Sequence, residues 1–154
     1  MNLRMKLFLL LFLLMYGCSD ETCDPQVQSS YDLIGRIIPG YEDQFKVELI
    51  ESPDRTDIYE IEGIDGKIVL RGNNPISIAT AFNQYLKYTC NAQLSWFGDQ
   101  LELPKKLLMP EKLTKGKIHG ERRAYFNYCS ISYTAPWWDW ERWQREIDFM
   151  AIMA

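Results

Sequence analysis

Residues able to do chemistry are few and scattered in this chain. One histidine, His119, and four cysteines, Cys18, Cys23, Cys90 and Cys129, are spread over 154 residues. No cysteines stand in a CxxC spacing and none pairs with a histidine, so nothing indicates zinc, and a site built from several histidines is excluded by the count. A serine-hydrolase triad would need His119 as its base, and that residue lies in a stretch rich in Lys and Gly. Carboxylates remain. Asp54, Asp57, Glu60 and Glu62 alternate along a strand and loop, the pattern of a solvated edge. Asp139, Glu141, Glu146 and Asp148 fall on a helix, where cap and surface charge are the expected roles. No catalytic pair, metal site or cofactor site emerges. The formal charge of −4 also argues against a nucleic-acid partner, which calls for a basic face.

The one cysteine with a local signature is Cys18. Arg4 and Lys6 form a short positive region, Leu7 to Tyr16 is an unbroken apolar run, and Gly17-Cys18 follows. A bilayer span needs about 20 apolar residues, so the run suits a signal segment. Its end resembles the bacterial lipoprotein cleavage box. That resemblance implies lipidation at Cys18, a signal over 1–18, a polar tether over 19–23, and anchoring to the bacterial cell envelope.

The elements that would position any site begin at Asp24, a helix cap followed by Pro25. Val27, Tyr31, Ile34 and Ile38 recur at helical spacing, and Pro39-Gly40 ends the helix. Strand-like runs follow at 45–50, 58–61 and 67–71, the last two joined through Asp65-Gly66, a strong hairpin signal. An antiparallel meander is the economical arrangement. Asn74-Pro75 opens a second helix with Ile78, Phe82, Tyr85 and Leu86 on one face, and Asn91 is suited to end it. Gln93 to Phe97 reads as a fourth strand. These pieces make a small domain over 24–103.

Residues 104–120 hold Pro104, Pro110, Gly116 and five lysines, and read as a solvated linker exposed to proteolysis. Beyond it the composition changes: nine of the 21 aromatics fall between Tyr125 and Phe149. Arg123 to Ser130 reads as a strand and Ser132 to Pro136 as a loop. A helix capped by Asp139 carries Trp140, Trp143, Ile147 and Met150 on one face, with Glu141–Arg145 and Arg142–Glu146 as pairs on its exposed side. One strand-loop-helix unit cannot bury that face, and 154 residues fall short of the roughly 250 of a (β/α)₈ barrel. The expected fold class is α+β. It comprises a small antiparallel sheet with two helices, then, over 121–154, a strand-loop-helix unit cut from a larger domain, which a family resemblance identifies as the first unit of a truncated (β/α)₈ barrel.

Two stretches carry a family resemblance. Asn127-x-Cys129-x₃-Tyr133 followed by Trp137-Trp-Asp-Trp-Glu-Arg-Trp-Gln-Arg-Glu-Ile-Asp148 is similar to the start of the catalytic barrel of the α-N-acetylglucosaminidases, glycoside hydrolase family 89. Upstream, Ile68 to Gly72 and Ala79 to Leu86 resemble that family's N-terminal domain. The resemblance implies retaining, exo-acting hydrolysis of terminal α-linked N-acetylglucosamine by two carboxylates about 5–5.5 Å apart. It places both on later barrel strands, past Ala154, so the chain alone is expected to be inactive. It maps Asn127, Cys129 and Tyr133 onto the substrate pocket, at the carboxyl end of the first barrel strand where barrel sites are built. Asn supplies donor and acceptor to a sugar hydroxyl, Cys a small wall, and Tyr an apolar face with a polar tip. The implied partners are a glycan and, through Cys18, a membrane. The competing expectations are a surface lipoprotein that holds glycan or protein without chemistry, and a truncated product without function.

Overall fold

The computed structural model describes residues 24–54, 56–119, 123–125, 129, 133 and 135–154. In chain order the elements are α1 (Pro25–Ile37), β1 (Phe45–Leu49), β2 (Ile58–Ile64), β3 (Lys67–Gly72), α2 (Pro75–Tyr88), β4 (Thr114–Lys117) and α3 (Trp140–Ile152). The caps lie where the sequence placed them. Asp24 accepts from the Gln26 amide, Asn74 from the Ser77 amide, and Asp139 from the Arg142 amide, each at 2.8–2.9 Å. Asn91 has φ 51° just past α2.

The four strands form one sheet in the order β1-β3-β2-β4. Asp65 and Gly66, at φ 50° and 76°, make the tight β2–β3 hairpin. The meander expectation is corrected at β1. This strand pairs in parallel with β3, Val47 opposite Leu70, instead of lying beside β2. The segment between β1 and β2 is long enough to step past one strand, about 10 Å across the sheet, and β3 fills the gap. Ile68, Val69 and Leu70 are consecutive and all buried, as a central strand covered on both faces requires.

A second correction concerns the fourth strand. Gln93 makes only an isolated bridge with Gln100. The true fourth strand is Thr114–Lys117, inside the expected linker, antiparallel to β2. The Tyr59 ring lies across Gly116, where any side chain would collide with it. The rest of that segment is also stitched down. Leu107 is 2% exposed, and its amide donates to Gln44 Oε1 at 2.9 Å. Tyr41 and Tyr85 donate their hydroxyl protons to the Leu103 and Leu108 carbonyls.

Helices α1 and α2 cover one face of the sheet. Leu33, Ile34, Phe82, Tyr85 and Leu86 pack on Phe45, Val47, Ile61, Ile68 and Leu70. Phe45 meets Phe82 and Tyr85 edge-on at 5.6 and 5.7 Å. Each large side chain fully buried there contributes roughly 1.5–3 kcal/mol. On the other face the register lines up Glu48, Arg71, Glu60 and Lys115 in one row of alternating charge. Arg71 bonds Glu48 at 2.6 Å and Glu62 at 2.8 Å, and Lys115 reaches Glu60 at 2.5 Å. The acidic alternation on β2 is therefore an interior row of cross-strand pairs, because β4 occupies the edge that the sequence assigned to it. Among the described residues, no helix is long and apolar enough to cross a membrane.

Candidate functional site

The site is built where the chain leaves the small domain. Arg123 donates to Asp57 at 2.5 Å, and the other Asp57 oxygen accepts from Asn74 at 2.6 Å. Asp57 thus ties the cap of α2 to the segment entering the second domain. The Arg123 hydrogen bond, helped by those of Asn74 and Asn73, outweighs burial and holds the Asp57 carboxyl below the usual carboxylate range. Two residues on, the Tyr125 ring packs edge-on against Phe149 of α3 at 6.2 Å.

Of the four residues singled out from sequence, Cys18 and Asn127 lie outside the described residues, as do 126–128 and 130 of the expected first strand. Cys129 and Tyr133 are brought together on one turn, the Tyr133 amide donating to the Cys129 carbonyl at 3.2 Å. Cys129 is half-buried and in no disulfide, and Tyr133 is 82% exposed. The next loop leaves Trp137 92% exposed. Trp138 is held between two neighbours: Trp143 meets its ring edge-on at 5.0 Å, and the Arg142 guanidinium sits 4.1 Å from its centre.

The acidic residues of α3 are the correction here. Asp139 caps the helix as expected, but Glu146 is 0% exposed and Asp148 5%. Asp148 takes a forked pair of bonds from Arg36, at the end of α1, at 2.7 and 2.8 Å. Glu146 accepts from the Trp96 indole at 2.9 Å and from Arg142 at 2.6 Å. Arg145, expected to pair with Glu141 on the surface, instead reaches both oxygens of Asp99 at 2.9 and 2.8 Å. Burial alone would push the Glu146 carboxyl up. Hydrogen bonds from Trp96, Tyr125 and Arg142 outweigh it and hold the group below its ordinary value.

The far end of α3 closes the junction. Ile152 is fully buried and joins the core of the small domain. Asn83 donates to its carbonyl at 3.0 Å, and Thr80 to that of Ala154 at 3.3 Å. The opposite side of α3 stays open, with Trp140 and Ile147 exposed. The apolar stripe read from sequence therefore exists, but it is not the face that docks. What the sequence reading missed is the docking set of Arg36, Trp96, Asp99, Glu146 and Asp148. Its one visible signal was two acids in the otherwise apolar run Ile147 to Ile152 and its approach.

This is a small α+β domain wired to the opening segment of a barrel domain. Comparison with known proteins agrees in the same order along the chain. Residues 28–111 match the family model described as the α-N-acetylglucosaminidase N-terminal domain, and 123–154 match the model of that enzyme's TIM-barrel domain. A human α-N-acetylglucosaminidase is 34% identical over 126 residues, 78% of this chain and 17% of the relative. A family 89 glycoside hydrolase from Clostridium perfringens, solved with 2-acetamido-1,2-dideoxynojirmycin, superposes with TM-score 0.78 at 30% identity, over 82% of this chain and 15% of that one. The same figures hold for a form of that enzyme with two glutamates replaced by glutamine, in complex with its substrate GlcNAc-α-1,4-galactose. The chain belongs to the α-N-acetylglucosaminidase family of glycoside hydrolases, and spans about a sixth of the length of these relatives.

Proposed function

We propose that this chain forms the N-terminal part of a retaining exo-α-N-acetylglucosaminidase that removes terminal α-linked N-acetylglucosamine from glycans. The observation that carries this reading is the ordered pair of family matches, small domain then barrel start, together with a solved relative that holds a GlcNAc-α-linked disaccharide as substrate. The catalytic carboxylates belong to barrel strands beyond residue 154. On α3, Glu146 and Asp148 are spent on docking and Asp139 on capping the helix, which supports placing the acid and nucleophile elsewhere. Two replaced glutamates in the relative's substrate complex support a two-carboxylate mechanism. Asn127, Cys129 and Tyr133 are assigned to the near side of the sugar pocket on the family motif they match, and the exposure of the Tyr133 ring supports that role. Cys18 carries the lipid that anchors the protein in the bacterial envelope, with 19–23 as tether.

The test is product configuration. Expressed from its complete reading frame, the protein should release N-acetylglucosamine from an aryl α-N-acetylglucosaminide, and proton NMR should show the α-anomer appearing first. A β-anomer appearing first would contradict retention, and no release would contradict the activity.

A further inference from the structure

We infer that the small domain is the docking template for the barrel's first helix, with Arg36 and Trp96 as the residues that fix the rotation of α3. The inference goes beyond the glycosidase reading and does not depend on it. Residues two apart on a helix point about 200° apart around its axis. Glu146 and Asp148 are such a pair, and both are buried. They flank a docking arc with Ile152 between them, Asp148 on the fork of Arg36 and Glu146 on the indole of Trp96. Any other rotation of α3 against α1 and α2 would take one carboxylate into the contact without its partner, which a buried charge does not tolerate. An apolar stripe alone would permit several rotations; two acids at the two margins permit one.

The partners on the small domain are themselves held. Arg36 projects from the last turn of α1. Trp96 sits in a loop braced by Ser95, whose hydroxyl donates to the Gly98 carbonyl at 2.6 Å, and by Asp99, which accepts from the Ser95 amide at 3.2 Å and from Arg145. The outward stripe of Trp140 and Ile147 makes no contribution to this contact. Helix α3 is therefore ordered by the small domain, and its far side is left free for whatever follows in the barrel.

Hydrogen exchange read by mass spectrometry on the 154-residue chain tests this. In Arg36→Met, amides of 140–152 should exchange about ten- to a hundredfold faster, as expected for loss of one charge-assisted pair, while 45–72 and 75–88 keep their protection. Trp96→Phe, which keeps an aromatic ring and removes the indole N–H donor with its five-membered ring, should act in the same direction. Pairing Arg36→Glu with Asp148→Arg should restore slow exchange. Unchanged exchange in α3 in both single variants, equal acceleration throughout the small domain, or no recovery in the exchanged pair would overturn the inference.

Discussion

Glu146 and Asp148 show how a residue's meaning depends on what it faces. On the helix alone they are charges one would send to solvent, and Arg142–Glu146 is an ordinary i,i+4 pair worth a few tenths of a kcal/mol. Burial changes the scale. Replacing Glu146 by Leu leaves the Trp96 indole and the Arg142 guanidinium without their acceptor, and should cost about 1–3 kcal/mol in urea unfolding. Asp54→Ala, an exposed site away from the contact, should stay within about 0.5 kcal/mol. Acid acts on the same groups. Asp57 and Glu146 have folded-state pKa values below their ordinary ones. Their stabilisation is fully present above the unfolded values near ~4–4.5 and is lost as pH falls through the lower folded values. The urea midpoint should hold steady from about pH 7 to 5.5 and fall below about pH 4, less steeply in Glu146→Gln. An equal slope in wild type and variant would rule Glu146 out as a contributor. Neither acid was legible as buried, because helical periodicity marks apolar faces and carries no information about a partner 50 or 112 residues away.

At the scale of elements, local signals did well and long-range pairing did not. All three described helices begin at the Asp or Asn that their sequences offer as caps, and the Asp65-Gly66 turn fixes the β2–β3 hairpin. The β1–β3 pairing escaped because a strand's neighbour is a property of the whole sheet, although the run Ile68-Val69-Leu70 hinted at a central strand. Strand β4 escaped because Thr-Lys-Gly-Lys has no apolar alternation; it is an edge strand held by main-chain bonds and the Glu60–Lys115 pair, and its lysines suit an edge. This changes the expected response to protease. A solvated connector would be cut first at Lys105 to Lys117. With Leu107 buried and the Leu103, Lys105 and Leu108 carbonyls bonded to Tyr41, Gln44 and Tyr85, trypsin should spare Lys105 and Lys106 until the small domain itself unfolds. Early cleavage there, with a resistant piece ending near 103, would mean that these ties do not hold in solution.

On the scale of the whole molecule, the order small domain, edge strand, barrel helix places the family's two folding units in one continuous core through Ile152. The candidate pocket was legible only through the resemblance carried by Asn127, Cys129 and Tyr133, since single polar residues on a loop have no periodicity to read. The structure adds the placement of Cys129 and Tyr133 on one turn and the assignment of the nearby acids to docking. Under the proposed function, this chain supplies the scaffold and near wall of a glycosidase whose acid and nucleophile lie elsewhere. The most direct test is to incubate the purified 154-residue chain with an aryl α-N-acetylglucosaminide and follow aryl release. Release no faster than the uncatalysed background is expected; turnover above it, lost on substitution of a carboxylate within these 154 residues, would contradict the proposed function.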